Sequence, residues 1–400
     1  VSEIVTAPLP SEIVQRLGWD GKIARVETVP AGMSGSVVSK VVFHDDASMA
    51  VKRLPSTATI DRVRQCHRVM SLARKRGCLL VPNVHALVVE GGHVYEVTQW
   101  MDGSPLAADA EVSAIMQGVH AIARFHTAVG DQQTIVKPSP GIIERVRILA
   151  DSKGFLPRLS HANSIAGSFA NASASVNDAA NANANANANC NADVHNATNC
   201  IVNEERGFLS DQPEFASVFL SAVSLLSENW EAQRQRLSRR LLPWSNRPMN
   251  LQWVVRDIHR DHLLFDDACD SPDLPEDGSS GSKILGPRVS GLIDFDAVRV
   301  DCVWLDYARW VGSFTETRSR ADELWEALAA DWRTQSLSTD RHLLSNDWLD
   351  LTRTLQEVAV WISLKNWVVW VQEQRRFPCG LAVVASRMHR LTRQAADLIA

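Results

Sequence analysis

From Ile23 to Trp100 apolar and polar positions alternate in short runs, ARVETVPA, then GSVVSKVVFH, then SMAVKRLP, with Gly, Asp and Ser in the gaps. A period of two broken by turn residues predicts a three-strand meander. The period then changes: over Thr59 to Gly77 the residues Ile60, Val63, Cys66 or His67, Met70 and Ala73 recur at helical spacing, and Gly77 is placed to end the helix. Two further strand-like runs, HALVVE and HVYEVTQW, flank Gly91 and Gly92, which is a hairpin signal. The predicted unit is five strands and one helix.

After Trp100 the pattern is helical over Glu111 to Val129, Gly141 to Ala150, Pro213 to Arg239, Asp301 to Gly312, Ser319 to Trp332, Asp347 to Gln374 and Gly380 to Ile399. Strand-like pieces are expected only around Leu263 and Ile293. The change near Gly103 divides the chain into an N-terminal extension (1–22), a small sheet-rich unit (23–102) and a large helical one (103–400). Within the last, residues 160–206 are of low complexity, with an Asn-Ala alternation from Asn181 to Ala188. Such a stretch buries too little apolar surface to offset its ordering entropy, so a disordered insert is expected there.

A hydrophobic share of 45% with 22% charged residues excludes a wholly disordered chain, and 400 residues exceed what one small core organises. With 41 basic and 46 acidic residues, the net charge of -5 gives no general attraction for nucleic acid or anionic lipid. The seven cysteines are scattered with no CxxC pair, so they read as reduced thiols and not as a zinc site. No window approaches the roughly 18 apolar residues of a membrane span. The expectation is a cytoplasmic protein, monomeric or homodimeric, with neither nucleic acid nor membrane as partner.

Candidate chemistry concentrates in VRDIHRDHLLF, residues 255–265, followed by GLIDFD, residues 291–296. Asp257 sits on a polar loop before His262, the apolar run Leu263 to Phe265 anchors the chain as a short strand, and Asp294 follows a second apolar run. A phosphoryl-transfer site needs such a pair: one carboxylate to position the attacking hydroxyl, another at a rigid strand end to hold magnesium against the triphosphate.

These motifs resemble those of the aminoglycoside phosphotransferase and choline kinase-like enzymes, which share the protein-kinase-like fold. There the loop reads HGDxHxxN and the metal motif IDF or IDW, which Asp257, His259 and Ile293-Asp294-Phe295 match. The resemblance implies an α+β, bilobal fold with a small five-stranded N-lobe and a large, mainly helical C-lobe. It implies transfer of the γ-phosphate of ATP, with Mg2+, to a hydroxyl of a small aminoglycoside, amino-alcohol or sugar-like acceptor. It further implies Asp257 and Arg256 as catalytic, Asp294 and His262 at the metal, and Gly32, Ser34, Gly35, Lys52, Gln99, Trp100 and Met101 at the nucleotide. Asp306 corresponds to an aspartate that buttresses the catalytic loop, and His126 ends a helix similar to the family's LxxLH segment.

The chain departs from this pattern in three places. His262 replaces an asparagine, and imidazole suits the hard magnesium ion poorly. Val255 replaces the first histidine of the loop, although Arg256 makes the triplet similar to the HRD of protein kinases. No Asp or Glu lies between Asp61 and Glu90, so the helix offers Lys52 no mid-helix acid; His67, Gln65 or Asp61 is left to face it. A nucleotide-binding pseudokinase is the alternative these departures suggest, and His259, Asp261, His262 and Asp266 also allow a metal-dependent phosphohydrolase, which would be helical throughout. Trp361, Trp367 and Trp370, at near-helical spacing, fit either core packing or an aromatic wall for an acceptor.

Overall fold

The computed structural model describes residues 9–29, 35–130, 135–151, 212–266, 287–334, 347–374 and 380–399. Gly32, Ser34 and the Asn-Ala segment lie outside them.

The alternating N-terminal runs form β1 (Ile23–Val29), β2 (Val37–Phe43), β3 (Ser48–Arg53), β4 (Val84–Glu90) and β5 (His93–Gln99). They pair throughout antiparallel in the order β1-β2-β3-β5-β4. Between β3 and β4 runs α2 (Ile60–Lys75), whose Val63, Cys66, Val69, Met70 and Ala73 are buried on one face. Thr59 caps it by accepting a hydrogen bond from the Arg62 amide, at 3.3 Å. Ahead of the sheet lies α1 (Ser11–Arg16), too short to show a period in the sequence. Its Ile13 is fully buried in one cluster with Val41, Val51, Val88, Tyr95 and Val97. The stretch that reads as an extension therefore supplies part of the sheet's core.

The later chain is mainly helical: α3 (Val112–Val129), α4 (Pro140–Ala150), α5 (Pro213–Ser245), α6 (Trp304–Gly312), α7 (Arg318–Thr334), α8 (Asp347–Gln374) and α9 (Leu381–Asp397). This is the expected α+β class, a five-stranded sheet with one helix across it followed by a mostly helical region. It carries more strand than the sequence suggests. Beside the hairpin of β8 (Leu263–Asp266) and β9 (Arg288–Leu292), β6 (Ile135–Pro138), β7 (Pro248–Val254) and β10 (Arg299–Asp301) form a three-stranded sheet in the order β10-β7-β6. Ile135, Val136 and Lys137 of β6 are all exposed, so no alternation marks that strand. The helix expected from Asp301 begins at Trp304 because Asp301 closes β10 instead.

By compactness the chain forms two units, Val1–Glu144 with Leu241–Gln356, and Arg145–Arg240 with Glu357–Ala400. The first of these holds the N-terminal sheet together with the loop after β9, where Asp294 and Asp296 meet Lys52 of β3. In the first unit α3 and α6 meet at Gly118, where a Cβ would stand 2.2 Å from the Trp310 ring. The glycine admits the indole, which is fully buried and donates from Nε1 to the Ile115 carbonyl at 2.9 Å. In the second unit Glu357 of α8 accepts from Arg236 and Arg240 of α5, each at 2.7 Å. Trp361 is fully buried and Trp367 nearly so, so these two rings are packing residues and not a pocket wall. Among the described residues no helix is long and apolar enough to cross a membrane.

Candidate active site

The loop after β7 is held from beneath by one carboxylate. Asp306, in the first turn of α6 and fully buried, accepts from the Val255 amide at 2.8 Å and the Arg256 amide at 2.6 Å. Its Oδ2 also lies 2.9 Å from His126 Nε2 at the end of α3. A buried carboxylate requires such partners, and here they are the backbone of the loop after β7 and the Nε2 of an interior histidine. Arg256 adopts a left-handed φ of 68°. The only other non-glycine residues with positive φ among the described residues are Asp294, at 61°, and Asp46, in the turn between β2 and β3. Two of the three strained backbones thus fall on the motif residues.

Arg256 and Asp257 point to different partners. The Arg256 Nε lies 3.7 Å from the buried Asp301 Oδ2, while Asp301 Oδ1 accepts from Ser139 Oγ at 2.5 Å and from the Cys302 amide at 3.0 Å. This geometry makes Arg256 a pin for the loop. The half-exposed Asp257 carboxylate accepts a hydrogen bond from Arg309 Nη2, one turn along α6 from Asp306. Burial pushes the Asp257 carboxyl up, but the Arg309 guanidinium and His259 outweigh it and hold it below the usual carboxylate range.

The loop continues into a single 3-10 turn over Arg260–His262, capped by His259 Nδ1, which accepts from the Asp261 amide at 3.4 Å. The rings of His259 and His262 are packed with centroids 3.7 Å apart. Burial, then the neighbouring His259, pushes His262 down to about 4, so its ring is neutral near pH 7. The His262 carbonyl accepts from the Ile293 amide at 2.9 Å, and His262 Nε2 lies 3.5 Å from Asp294 Oδ2. The two sequence motifs are thereby joined side by side.

Lys52 meets them from the sheet. Its Nζ lies 3.2 Å from Asp294 Oδ1 and 2.7 Å from Asp296 Oδ2, although these acids are 242 and 244 positions away in the chain. Burial alone would lower the Lys52 ammonium, but the two aspartates raise it above the ordinary lysine range. Burial would likewise raise Asp294, and Lys52 foremost holds it below its usual value; Asp296 is raised by burial and by the charge of Asp294. Arg62 of α2 completes the arrangement by donating from Nη2 and Nε to the Asp296 carbonyl, at 2.7 and 3.2 Å.

Among the described residues no group of three or more His, Cys, Asp and Glu side chains is arranged to hold a metal ion. The donor chemistry nevertheless divides the candidates. Asp294 and Asp296 offer hard carboxylate oxygens side by side, which suit magnesium, whereas His262 offers a ring nitrogen, which does not.

The strand-to-helix crossing after β5 is tied to the same hairpin. The Gln99 amide donates to the Asn83 carbonyl at 2.8 Å and the Trp100 amide to the Ser48 carbonyl at 3.2 Å. The Trp100 ring lies under Lys40 Nζ at 4.8 Å. Met101 packs on Gly291, where a Cβ would stand 2.9 Å from the Met101 Cβ. Ser104 and Phe265 exchange backbone hydrogen bonds, each 2.9 Å. Gly103, at φ 120°, has Ser290 Oγ 2.3 Å from where its Cβ would be, so only glycine fits. Gly35 is described, with φ 74°, while Gly32 and Ser34 are not.

The structure thus brings Lys52, Asp294, His262 and the Asp257 loop together. Asp296, Arg309, Arg62 and Glu96 also belong to this neighbourhood and carry no assignment from sequence. Arg309 was readable, three positions after Asp306 on one helix face. Glu96 needed a strand register that no local pattern gives.

No family model matches the chain, and no curated protein sequence matches it. Solved structures do. An aminoglycoside phosphotransferase from Alicyclobacillus acidocaldarius subsp. acidocaldarius DSM 446 is similar with a TM-score of 0.48 at 15% identity, over 98% of this chain and 95% of that one. Amicoumacin kinase hAmiN, in complex with AMP-PNP, Ca2+ and Ami, is similar with a TM-score of 0.48 at 9% identity, over 96% of each chain. A thermostable mutant of aminoglycoside phosphotransferase APH(4)-Ia, in a ternary complex with AMP-PNP and hygromycin B, has a TM-score of 0.46 at 10% identity, over 98% of this chain and 99% of that one.

Proposed function

We propose that this chain is an ATP-dependent phosphotransferase that moves the γ-phosphate to a hydroxyl of a small molecule of the aminoglycoside, amino-alcohol or sugar-like class. The observation that carries the reading is the meeting of Lys52 Nζ with Asp294 and Asp296 beside the loop of Asp257. Lys52 neutralises triphosphate oxygens, Gly35 belongs to the loop that covers them, and the backbone of Gln99 to Met101 borders the adenine. The acceptor oxygen attacks the γ-phosphorus as the bond to the bridging oxygen breaks and ADP leaves, and the hydroxyl proton passes to the Asp257 carboxylate. That carboxylate is held ionised by Arg309, so it orients the hydroxyl first and takes the proton late. Arg256 acts through the loop by its pairing with Asp301.

Asp294 and Asp296 would hold magnesium in this reading, which supplies positive charge to the phosphate oxygens when bound. His262 keeps the two motifs in register and is not needed as a ligand. Asp294→Ala is expected to abolish magnesium-dependent ATP binding, read by calorimetry with and without the metal. Unaltered magnesium dependence in that variant would place the metal elsewhere. The phosphohydrolase alternative requires a helical fold and is opposed by the five-stranded sheet.

A further inference from the structure

The lysine that reaches the candidate site has no mid-helix acid on α2, yet it does not lack a third carboxylate. Lys52 and Glu96 are direct partners across β3 and β5, so their side chains leave the same face of the sheet with Cβ atoms about 5 Å apart. Glu96 is nearly buried, and its Oε1 lies 2.8 Å from His67 Nε2 of α2, also nearly buried. Of the helix residues His67, Gln65 and Asp61, it is His67 that turns toward this face; Gln65 accepts from Arg62 at 2.8 Å and Asp61 lies in the solvent. The charge of Glu96 is felt at Lys52.

We infer that Glu96 is the positioning residue for Lys52, an acid carried by the sheet and tethered to α2 through His67. This rests on the phosphotransferase reading and extends it. In the present arrangement Lys52 is drawn to Asp294 and Asp296. A magnesium nucleotide that engages those carboxylates takes away both partners, and a buried ammonium left with phosphate on one side alone is free to swing. Glu96, fixed by His67, supplies the negative charge behind the lysine and aims it at the phosphates. Through His67 and through Arg62, which holds the Asp296 carbonyl, α2 is connected to both Glu96 and the acid loop.

The test compares ATP with adenosine on the full chain by calorimetry in the presence of magnesium, for wild type and Glu96→Gln. The substitution keeps the shape and a hydrogen bond to His67 but removes the charge. ATP binding is expected to weaken about tenfold or more while adenosine binding is unchanged, because only phosphates report on the lysine. Equal weakening of both ligands would make Glu96 merely structural, and unchanged ATP affinity would leave it without a role; either result overturns the inference and spares the phosphotransferase reading. A wild-type chain that binds neither ligand would overturn both. If Glu96→Gln does not fold, His67→Gln carries the test, with a smaller loss of the same phosphate-dependent kind expected and its absence overturning the inference.

Discussion

Asp306→Ala is expected to cost about 3–5 kcal/mol of stability, the range found when one member of a buried charged network is removed. The carboxylate is fully buried and satisfies the Val255 and Arg256 amides and His126 Nε2 at once. Deleting it leaves those donors without acceptors in a place water does not reach, and each such group carries its own desolvation cost. The loss should appear as a lower urea midpoint, with hydrogen exchange speeding up first over residues 255–262, since the strained Arg256 backbone depends on that support. Asp306→Asn retains acceptor capacity on one oxygen and should lose less. A midpoint within error of wild type for Asp306→Ala would mean that the loop is held by something else.

Asp257→Asn is expected to lower turnover about a thousandfold while leaving ATP affinity within about twofold of wild type. The amide cannot take a proton, yet it preserves the size of the side chain and the hydrogen bond from Arg309. Nothing in the Lys52, Asp294 and Asp296 group touches Asp257 directly, so nucleotide binding should be spared. The measurement is acceptor-dependent ADP release beside calorimetric ATP binding on the same preparation. Parallel loss of both would show that the residue supports the loop and not the chemistry.

Much of this arrangement is legible in the sequence where the signal is local. The alternation over β1 to β5, the apolar stripe of α2, and the order of Lys52, Asp257 and Asp294 need no tertiary information. What escapes is non-local or short. α1 has six residues and declares itself only through the burial of Ile13, and β6 has four with little buried face. The pairing of Lys52 with Glu96 depends on strand register, which one residue of slip would reverse. The division of labour between Arg256 and Arg309 depends on which carboxylate each meets, Asp301 or Asp257, and both arginines look equally available along the chain. Asp296 stands two places after Asp294 in plain view, but only the convergence on Lys52 gives it a function.

The most direct measurement follows phosphate itself. Wild-type chain is incubated with ATP, magnesium and a panel of hydroxyl-bearing amino sugars, amino alcohols and sugars, and ADP is quantified while the acceptors are weighed by mass spectrometry. ADP is expected in step with one phosphate gained by an acceptor, and both should be lost in the absence of magnesium and in Asp257→Asn. ATP binding without ADP or phosphorylated product across the panel would contradict it and leave a nucleotide-binding protein without phosphotransfer.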